Sequence, residues 1–160
     1  MAENTAVPKI TALAISYNEA LNVERYIERL KFADEIIFVD SESTDNTQTL
    51  AAQMGAKVLT RPFTNFSEQR NFAIAQASHD WILFFDLDEI ITPELEEEIK
   101  ATVKNPGGKN AFFVKRTFHF LGNRIRFEVG KMTKPYVFST KITVRTTGIW
   151  CTKRSKPMAK

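Results

Sequence analysis

The sequence predicts an α/β fold, with a mainly parallel sheet and helices on both of its faces. Short apolar runs alternate along the chain with segments of helical periodicity. The apolar runs are almost continuous, which is typical of parallel strands that are buried on both sides. A length of 160 residues and a hydrophobic fraction of 43% suit one globular domain with a sizeable core.

The predicted elements follow one another in regular order. The apolar runs predict strands at residues 10–15, 35–39, 56–59, 81–85 and 111–115. Helical periodicity predicts helices at residues 21–30, 47–54, 66–77 and 93–104. In the first helix, the apolar residues that we expect on the buried face are Leu21, Val23, Tyr26, Ile27 and Leu30. Thr92, Pro93 and Glu94 form a start signal for the last helix, with a hydroxyl cap, a proline and an acid in the first turn.

Charge is distributed unevenly along the chain. Residues 1–127 hold 14 basic and 18 acidic side chains, whereas residues 128–160 hold 8 basic side chains and a single acid. The basic end alone would suit nucleic acid or anionic lipid. The single cysteine, Cys151, excludes an internal disulfide framework. Because the first residues also lack the pattern of a signal peptide, we expect a cytoplasmic protein.

Three polar clusters come directly after predicted strands, at residues 16–19, 40–45 and 86–89. In an open parallel sheet, ligands bind in the crevice beyond the carboxyl ends of the strands. The sequence therefore predicts that these three clusters meet at one rim and form a single binding site.

The third cluster offers two carboxylates, Asp86 and Asp88, at the end of a buried strand. Mg²⁺ and Mn²⁺ prefer oxygen ligands and usually share them with substrate phosphates. The pattern therefore suits a metal–diphosphate clamp, although acids after a strand equally often cap the next helix. Asp40 suits a hydrogen bond to a nucleoside or a role in the turn. Arg70 suits a phosphate contact or an exposed helix surface. The sequence has neither a G-x-G-x-x-G segment nor a P-loop lysine.

Four segments carry a resemblance to a known family: AISYNE at 14–19, FVDSESTDNT at 38–47, EQRN at 68–71 and WILFFDLDE at 81–89. In this order they resemble family 2 glycosyltransferases, and most of all the β-1,4-glucosyltransferase-like branch that builds the lipopolysaccharide core. The resemblance covers residues 8–127. It implies a GT-A fold, a Rossmann-like nucleotide-diphospho-sugar transferase. It also implies inverting transfer of a hexose, with Mg²⁺ or Mn²⁺, from a UDP-sugar to a saccharide or lipid-linked glycan acceptor at the cytoplasmic face of the inner membrane.

The resemblance also implies roles for individual residues. Asp88 would hold the metal, Asp86 would line the donor pocket beside it, and Arg70 would lie near the diphosphate. Asp40 would contact the base or the ribose. The residues implied to line the nucleotide pocket are Tyr17, Asn18 and Glu19.

The resemblance stops after Phe127. Residues 128–160 show neither strand alternation nor a helical stripe, and Glu128 is the only acid beyond Glu98. An inverting transferase needs a general base, for which this stretch offers no candidate. With suitable codons, one base restored after Phe127 yields a continuation like the family's, including a His-Glu pair. We therefore expect a GT-A domain at 1–127, incomplete at its C-terminal end, and an out-of-frame, poorly ordered tail at 128–160. Such a chain would bind its donor without efficient transfer.

Two other functions remain open on the sequence. The segment Phe84 to Glu89 also resembles the nucleophile loop of haloacid-dehalogenase-like phosphatases, although Ile90 stands where that family has threonine. The other alternative is a non-enzymatic module, binding either a nucleotide or, through residues 131–160, a polyanion. We expect no nucleic-acid partner, because the basic stretch falls within the part attributed to a shifted frame.

Overall fold

The fold is taken from a computed structural model, which describes residues 7–114, 119–120, 123–124 and 136–140, with side chains through residue 114. The strands are β1 (Ile10–Ser16), β2 (Glu35–Asp40), β3 (Lys57–Thr60), β4 (Trp81–Phe84), β5 (Ala111–Val114), β6 (His119–Phe120), β7 (Asn123–Arg124) and β8 (Tyr136–Thr140). The helices are α1 (Ala20–Leu30), α2 (Thr47–Gln53), α3 (Phe66–Gln76) and α4 (Pro93–Lys104).

The main sheet has the strand order β3-β2-β1-β4-β8-β5. Strands β3, β2, β1 and β4 are parallel, whereas β8 is antiparallel to both of its neighbours. Strands β6 and β7 form a separate two-stranded ribbon. The predicted α/β class, with a mainly parallel sheet, is confirmed.

Helices cover both faces of the sheet, as predicted. On one face, α1, α2 and α4 pack against alternate strand residues such as Ala12, Phe38 and Leu83. On the other face, α3 packs through Ala73 and Ile74 against the intervening strand residues. The strands are nearly continuous apolar runs because both of their faces are buried.

The predicted cap of α4 is confirmed, whereas one residue predicted on the buried face of α1 is exposed. Thr92 caps α4 as expected, since its hydroxyl accepts a hydrogen bond from the backbone N–H of Leu95. Leu21, which we assigned to the buried face of α1, is 98% exposed. The assignment is wrong because Leu21 lies on the opposite side of the helix from Val23 and the other residues that face the sheet, at roughly 100° of rotation per residue.

Strand β8 lies inside the stretch for which the sequence predicts a poorly ordered tail. Its backbone pairs with Trp81 and Ile82 on one side and with the whole of β5 on the other. The sequence pattern of residues 128–160 indicates no strand, and this is wrong for Tyr136–Thr140, which form β8. The predicted division at residue 127 and the shifted frame remain predictions.

The amino ends of the strands are held together by Glu35. Its carboxylate accepts hydrogen bonds of 2.8 Å from the Thr11 hydroxyl and from both the backbone N–H and the hydroxyl of Ser78. Burial acts to raise the pKa of Glu35, but these hydrogen bonds and the charge of Lys57 hold that pKa below its usual value. This edge of the sheet is thus a structural clamp, opposite to the edge where the polar clusters lie. Among the described residues, no helix is long and apolar enough to cross a membrane.

Candidate functional site

The three polar clusters meet at the carboxyl edge of the sheet, as the sequence predicts. Strands β2, β1 and β4 are adjacent, and Ser16 at the end of β1 lies beside Asp40 at the end of β2. Pairing of β1 with β4 ends at Leu13 and Phe84, so the two strands separate just before residues 17–19 and 86–89. This is also where the strand order reverses, the position at which open α/β sheets form their ligand crevice.

Asp40 is completely buried, and other parts of the protein already satisfy its carboxylate. One oxygen accepts hydrogen bonds from the hydroxyls of Ser16 and Ser43, at 2.8 and 2.6 Å. The other accepts from the Ser43 backbone N–H and the Gln48 amide, at 2.8 and 2.7 Å. A carboxylate has about four lone-pair sites, so these four donors occupy it fully.

The loops after β1 and β2 are joined by a set of hydrogen bonds around Asn18. Its backbone N–H donates to the Ser43 hydroxyl, and its side-chain oxygen accepts from the Thr44 backbone N–H, both at 2.8 Å. The Asp45 carboxylate accepts from the backbone N–H of Ala20 at the start of α1. Asn18 has φ +52°, a left-handed conformation that asparagine tolerates. Asn18 therefore builds the wall of the crevice by fixing one loop against the other.

Tyr17 and Glu19 flank Asn18 but differ in their surroundings. The Tyr17 side chain is 58% exposed at the rim. The half-buried Glu19 accepts a hydrogen bond of 2.6 Å from the Asn22 side chain in the first turn of α1. Of the two, Tyr17 is the more accessible to a ligand.

Residues 86–89 form a tight turn after β4. The backbone N–H of Glu89 donates to the Asp86 carbonyl at 3.1 Å, and the Glu89 carboxylate accepts from the backbone N–H of Asp86, also at 3.1 Å. Leu87 is buried in the core, at 2% exposure, whereas Asp88 is exposed. The turn therefore anchors one side chain in the core and presents the next one to solvent at the rim.

Arg70 reaches this turn from α3. Its guanidinium lies 5.0 Å from the centre of the Phe84 ring and 3.8 Å from an Asp86 carboxylate oxygen. Burial lowers the pKa of the guanidinium, and the charges of Asp86 and Glu89 offset part of that effect. Arginine remains protonated in proteins, so the structure holds a positive charge beside the two acids.

The sequence does not identify Tyr26 as part of the site, because it has the spacing of an ordinary core residue. Its hydroxyl lies 3.1 Å from the Leu13 carbonyl and 3.2 Å from the Phe85 carbonyl, in the gap where β1 and β4 separate. Burial, followed by the charges of Asp86 and Glu89, raises the pKa of the phenol. Tyr26 is therefore a neutral donor that supports the backbone just before Asp86.

The sequence also does not identify two glutamines near the site, the half-buried Gln48 and the buried Gln69. Gln48 binds Asp40 and accepts from the Thr60 hydroxyl, while Gln69 donates to the Ser41 hydroxyl and the Arg61 carbonyl, both at 3.2 Å. Gln69 belongs to the EQRN segment, which was the one signal available for it. These side chains hold the carboxyl ends of β2 and β3 against α2 and α3.

The carboxylates suit a metal that is shared with a substrate. Within the described part of the chain, no three acidic, histidine or cysteine side chains are grouped as a closed metal site. Mg²⁺ is usually held by one or two carboxylates together with substrate phosphates. Exposed Asp88, with Asp86 beside it, fits that pattern. The lack of a closed cage is thus compatible with a metal–diphosphate site.

The exposed Asp88, the neighbouring Asp86 and the half-buried Arg70 lie at the strand-order reversal, which is where open α/β sheets bind their ligands. A model of the glycosyl transferase family 2 matches residues 11–155. The chain therefore belongs to glycosyl transferase family 2, and this assignment decides against the phosphatase alternative.

Two relatives agree with the family assignment. An uncharacterized glycosyltransferase of Rickettsia bellii is 46% identical over 93 residues, which cover 58% of this chain and 32% of the relative. The lipopolysaccharide core biosynthesis glycosyltransferase LpsC of Rhizobium meliloti is 33% identical over 98 residues, covering 57% and 36%. This chain therefore spans about a third of the length of each relative.

The fold resembles that of glucosyl-3-phosphoglycerate synthase from Mycobacterium tuberculosis, solved with Mn²⁺, UDP and glucosyl-3-phosphoglycerate. The TM-score is 0.57 at 24% identity, over 65% of this chain and 42% of the synthase. The similarity confirms the GT-A fold. The stretches 125–135 and 141–160, which bear on the predicted lack of a general base, lie outside the described residues.

Proposed function

We propose that this chain binds a nucleotide-diphospho-sugar together with Mg²⁺ or Mn²⁺ in the crevice between β1 and β4. The observation that carries the proposal is the turn at 86–89, where Asp88 is exposed beside Asp86 and the half-buried Arg70. A divalent cation held there by Asp88 would supply Lewis-acid assistance to the departure of the nucleotide diphosphate.

The structure supports different roles for the predicted donor-binding residues. Asp88 would ligate the metal, and Arg70 would contact the diphosphate while it neutralises Asp86. Tyr17 is accessible enough to contact the nucleotide. Asp40 and Asn18 are already engaged by backbone and side-chain donors, so we assign them to the wall of the pocket.

For the reaction, we propose inverting transfer of a hexose from a UDP-sugar to a saccharide or lipid-linked glycan of the cell envelope. The names of two similar proteins support this choice: LpsC is a lipopolysaccharide core enzyme, and the synthase was solved with UDP and Mn²⁺. A cytoplasmic location, with peripheral contact at the inner membrane, belongs to the same proposal. The expected lack of a general base leads us to propose that transfer by this chain is weak.

Binding of UDP with Mn²⁺ is expected to raise the melting temperature of the chain. A ligand at about 100 times its Kd stabilises the folded state by about 2.7 kcal/mol, or roughly 5–10 °C for a domain of this size. Differential scanning fluorimetry measures the shift, with EDTA and Mn²⁺ alone as controls. Equal melting temperatures with and without the nucleotide would contradict the proposal, and parallel scans with ADP and GDP identify the preferred base.

A transfer assay separates an active enzyme from the alternative of a nucleotide-binding fragment. Labelled UDP-glucose is incubated with the chain, Mn²⁺ and lipopolysaccharide-derived saccharide acceptors. Binding without labelled product supports the fragment. Fast formation of labelled product would show that the chain contains a base and would overturn the proposed weakness of transfer.

A further inference from the structure

Glu89 ends the turn at residues 86–89 that carries Asp86 and Asp88. Its carboxylate folds back onto the turn that it ends, where one oxygen lies 3.1 Å from the backbone nitrogen of Asp86. The backbone N–H of Glu89 donates to the carbonyl of the same Asp86, also at 3.1 Å. The two residues are therefore joined twice, by one backbone bond and one side-chain bond, around Leu87 and Asp88.

The turn is also held from two other directions. Leu87 is buried in the core, and the hydroxyl of Tyr26 lies 3.2 Å from the Phe85 carbonyl, just before the turn. These contacts determine where the backbone leaves β4, but neither of them closes the turn itself. The bond from Asp86 to the Glu89 carboxylate does close it, and it opposes rotation of the peptide that precedes Asp86.

We propose that Glu89 is a positioning residue that fixes the turn so that Asp88 faces the crevice, and that it acts through an oxygen acceptor rather than through metal coordination. The expected effect of Glu89 on metal binding rests on the proposed function, whereas its expected effect on the geometry of the turn does not. Groups that orient metal ligands typically change metal affinity by about 10–100-fold when they are removed.

Two substitutions at Glu89 separate positioning from coordination. Glu89→Gln keeps a side-chain oxygen that can accept from the Asp86 N–H but removes the charge, whereas Glu89→Ala removes both. The matched control is Glu98→Ala, which removes an exposed carboxylate from the middle of α4. Hydrogen exchange of the Asp86 amide is measured without metal, and UDP affinity is measured with and without Mn²⁺ by calorimetry.

We expect Glu89→Ala to speed exchange of the Asp86 amide and to weaken Mn²⁺-dependent UDP binding by about 10-fold or more. Glu89→Gln should keep the protection of that amide and lose clearly less affinity than Glu89→Ala, because its oxygen still closes the turn and only the charge near Arg70 is removed. Equal losses of affinity in both variants would overturn the proposal, since they would show that the charge alone accounts for the effect. Unchanged exchange in Glu89→Ala would also overturn it. Absence of Mn²⁺-dependent binding in the parent chain would refute the proposed function instead.

Discussion

Replacing Asp40 by alanine is expected to lower the free energy of unfolding by about 3–5 kcal/mol, a large part of the roughly 5–15 kcal/mol typical of a domain. The substitution leaves the hydroxyls of Ser16 and Ser43, the Ser43 N–H and the Gln48 amide without their acceptor. Each buried donor left without a partner costs about 1–3 kcal/mol, and rotation of the two serine hydroxyls recovers part of the total cost. Urea denaturation followed by circular dichroism measures the change.

Two further variants show whether the lost hydrogen bonds cause this effect. Asp40→Asn keeps one acceptor for the Ser43 N–H and the Gln48 amide, so we expect a smaller loss of about 1–2 kcal/mol. Asp34→Ala removes an exposed carboxylate with one hydrogen bond, to the N–H of Ile10, and should cost about 1 kcal/mol. If Asp40→Ala stays stable but loses UDP binding, Asp40 contacts the nucleoside directly, as the family resemblance implies, and our assignment to the pocket wall is wrong.

Replacing Asp88 by alanine is expected to weaken Mn²⁺-dependent UDP binding by about 100-fold or more, because loss of a group that only orients a metal ligand already costs about 10–100-fold. Stability should change little, since Asp88 is exposed and a surface substitution usually changes the free energy of unfolding by about 0.5 kcal/mol or less. Titration calorimetry with UDP, in Mn²⁺ and in EDTA, measures the affinity. UDP binding in EDTA should be the same for the variant and the parent chain.

The neighbouring Asp86 is a less informative position for the same experiment. Its loss would leave the half-buried guanidinium of Arg70 without one of its two nearby acids, so stability and binding would change together.

Glu98→Ala, which removes an exposed carboxylate from α4, is the matched control for Asp88→Ala. If Asp88→Ala and Glu98→Ala both bind UDP with the Mn²⁺ dependence of the parent chain, the metal does not bind at residue 88.

The fold class was predictable because the evidence for it is local. Each of the first four strands is a short apolar run, and each run ends within one or two residues of the predicted position, as in β4 at Trp81–Phe84. Periodicity also located the helices. Strand β8 was not predictable in this way, because its place between β4 and β5 depends on pairing across more than 20 residues of chain. Such pairing leaves little trace in local composition.

The meeting of the three polar clusters at one edge was predictable for the same reason, since parallel strands must bring their carboxyl ends to one edge. The hydrogen bonds of the residues in these clusters were not predictable. The donors that occupy Asp40 include Ser16, which is 24 residues away, and Asn18 meets Thr44 across 26 residues. Tyr26 has the spacing of a core residue and gave no sign that its hydroxyl supports the end of β4. Only the folded arrangement distinguishes a ligand-binding acid from one that holds two loops together.

The central claim is that three loops at the carboxyl edge form one metal–nucleotide site, and paramagnetic broadening of backbone amide signals by Mn²⁺ tests it most directly. In the presence of UDP, a small amount of Mn²⁺ should broaden the signals of residues 17–19 and 86–89 first. The signals of Glu35 and Ser78 should remain sharp, because a strand of six residues places the opposite edge roughly 20 Å away. Broadening that begins at Glu35 and Ser78, or that is no greater at 86–89 than elsewhere, would contradict the account.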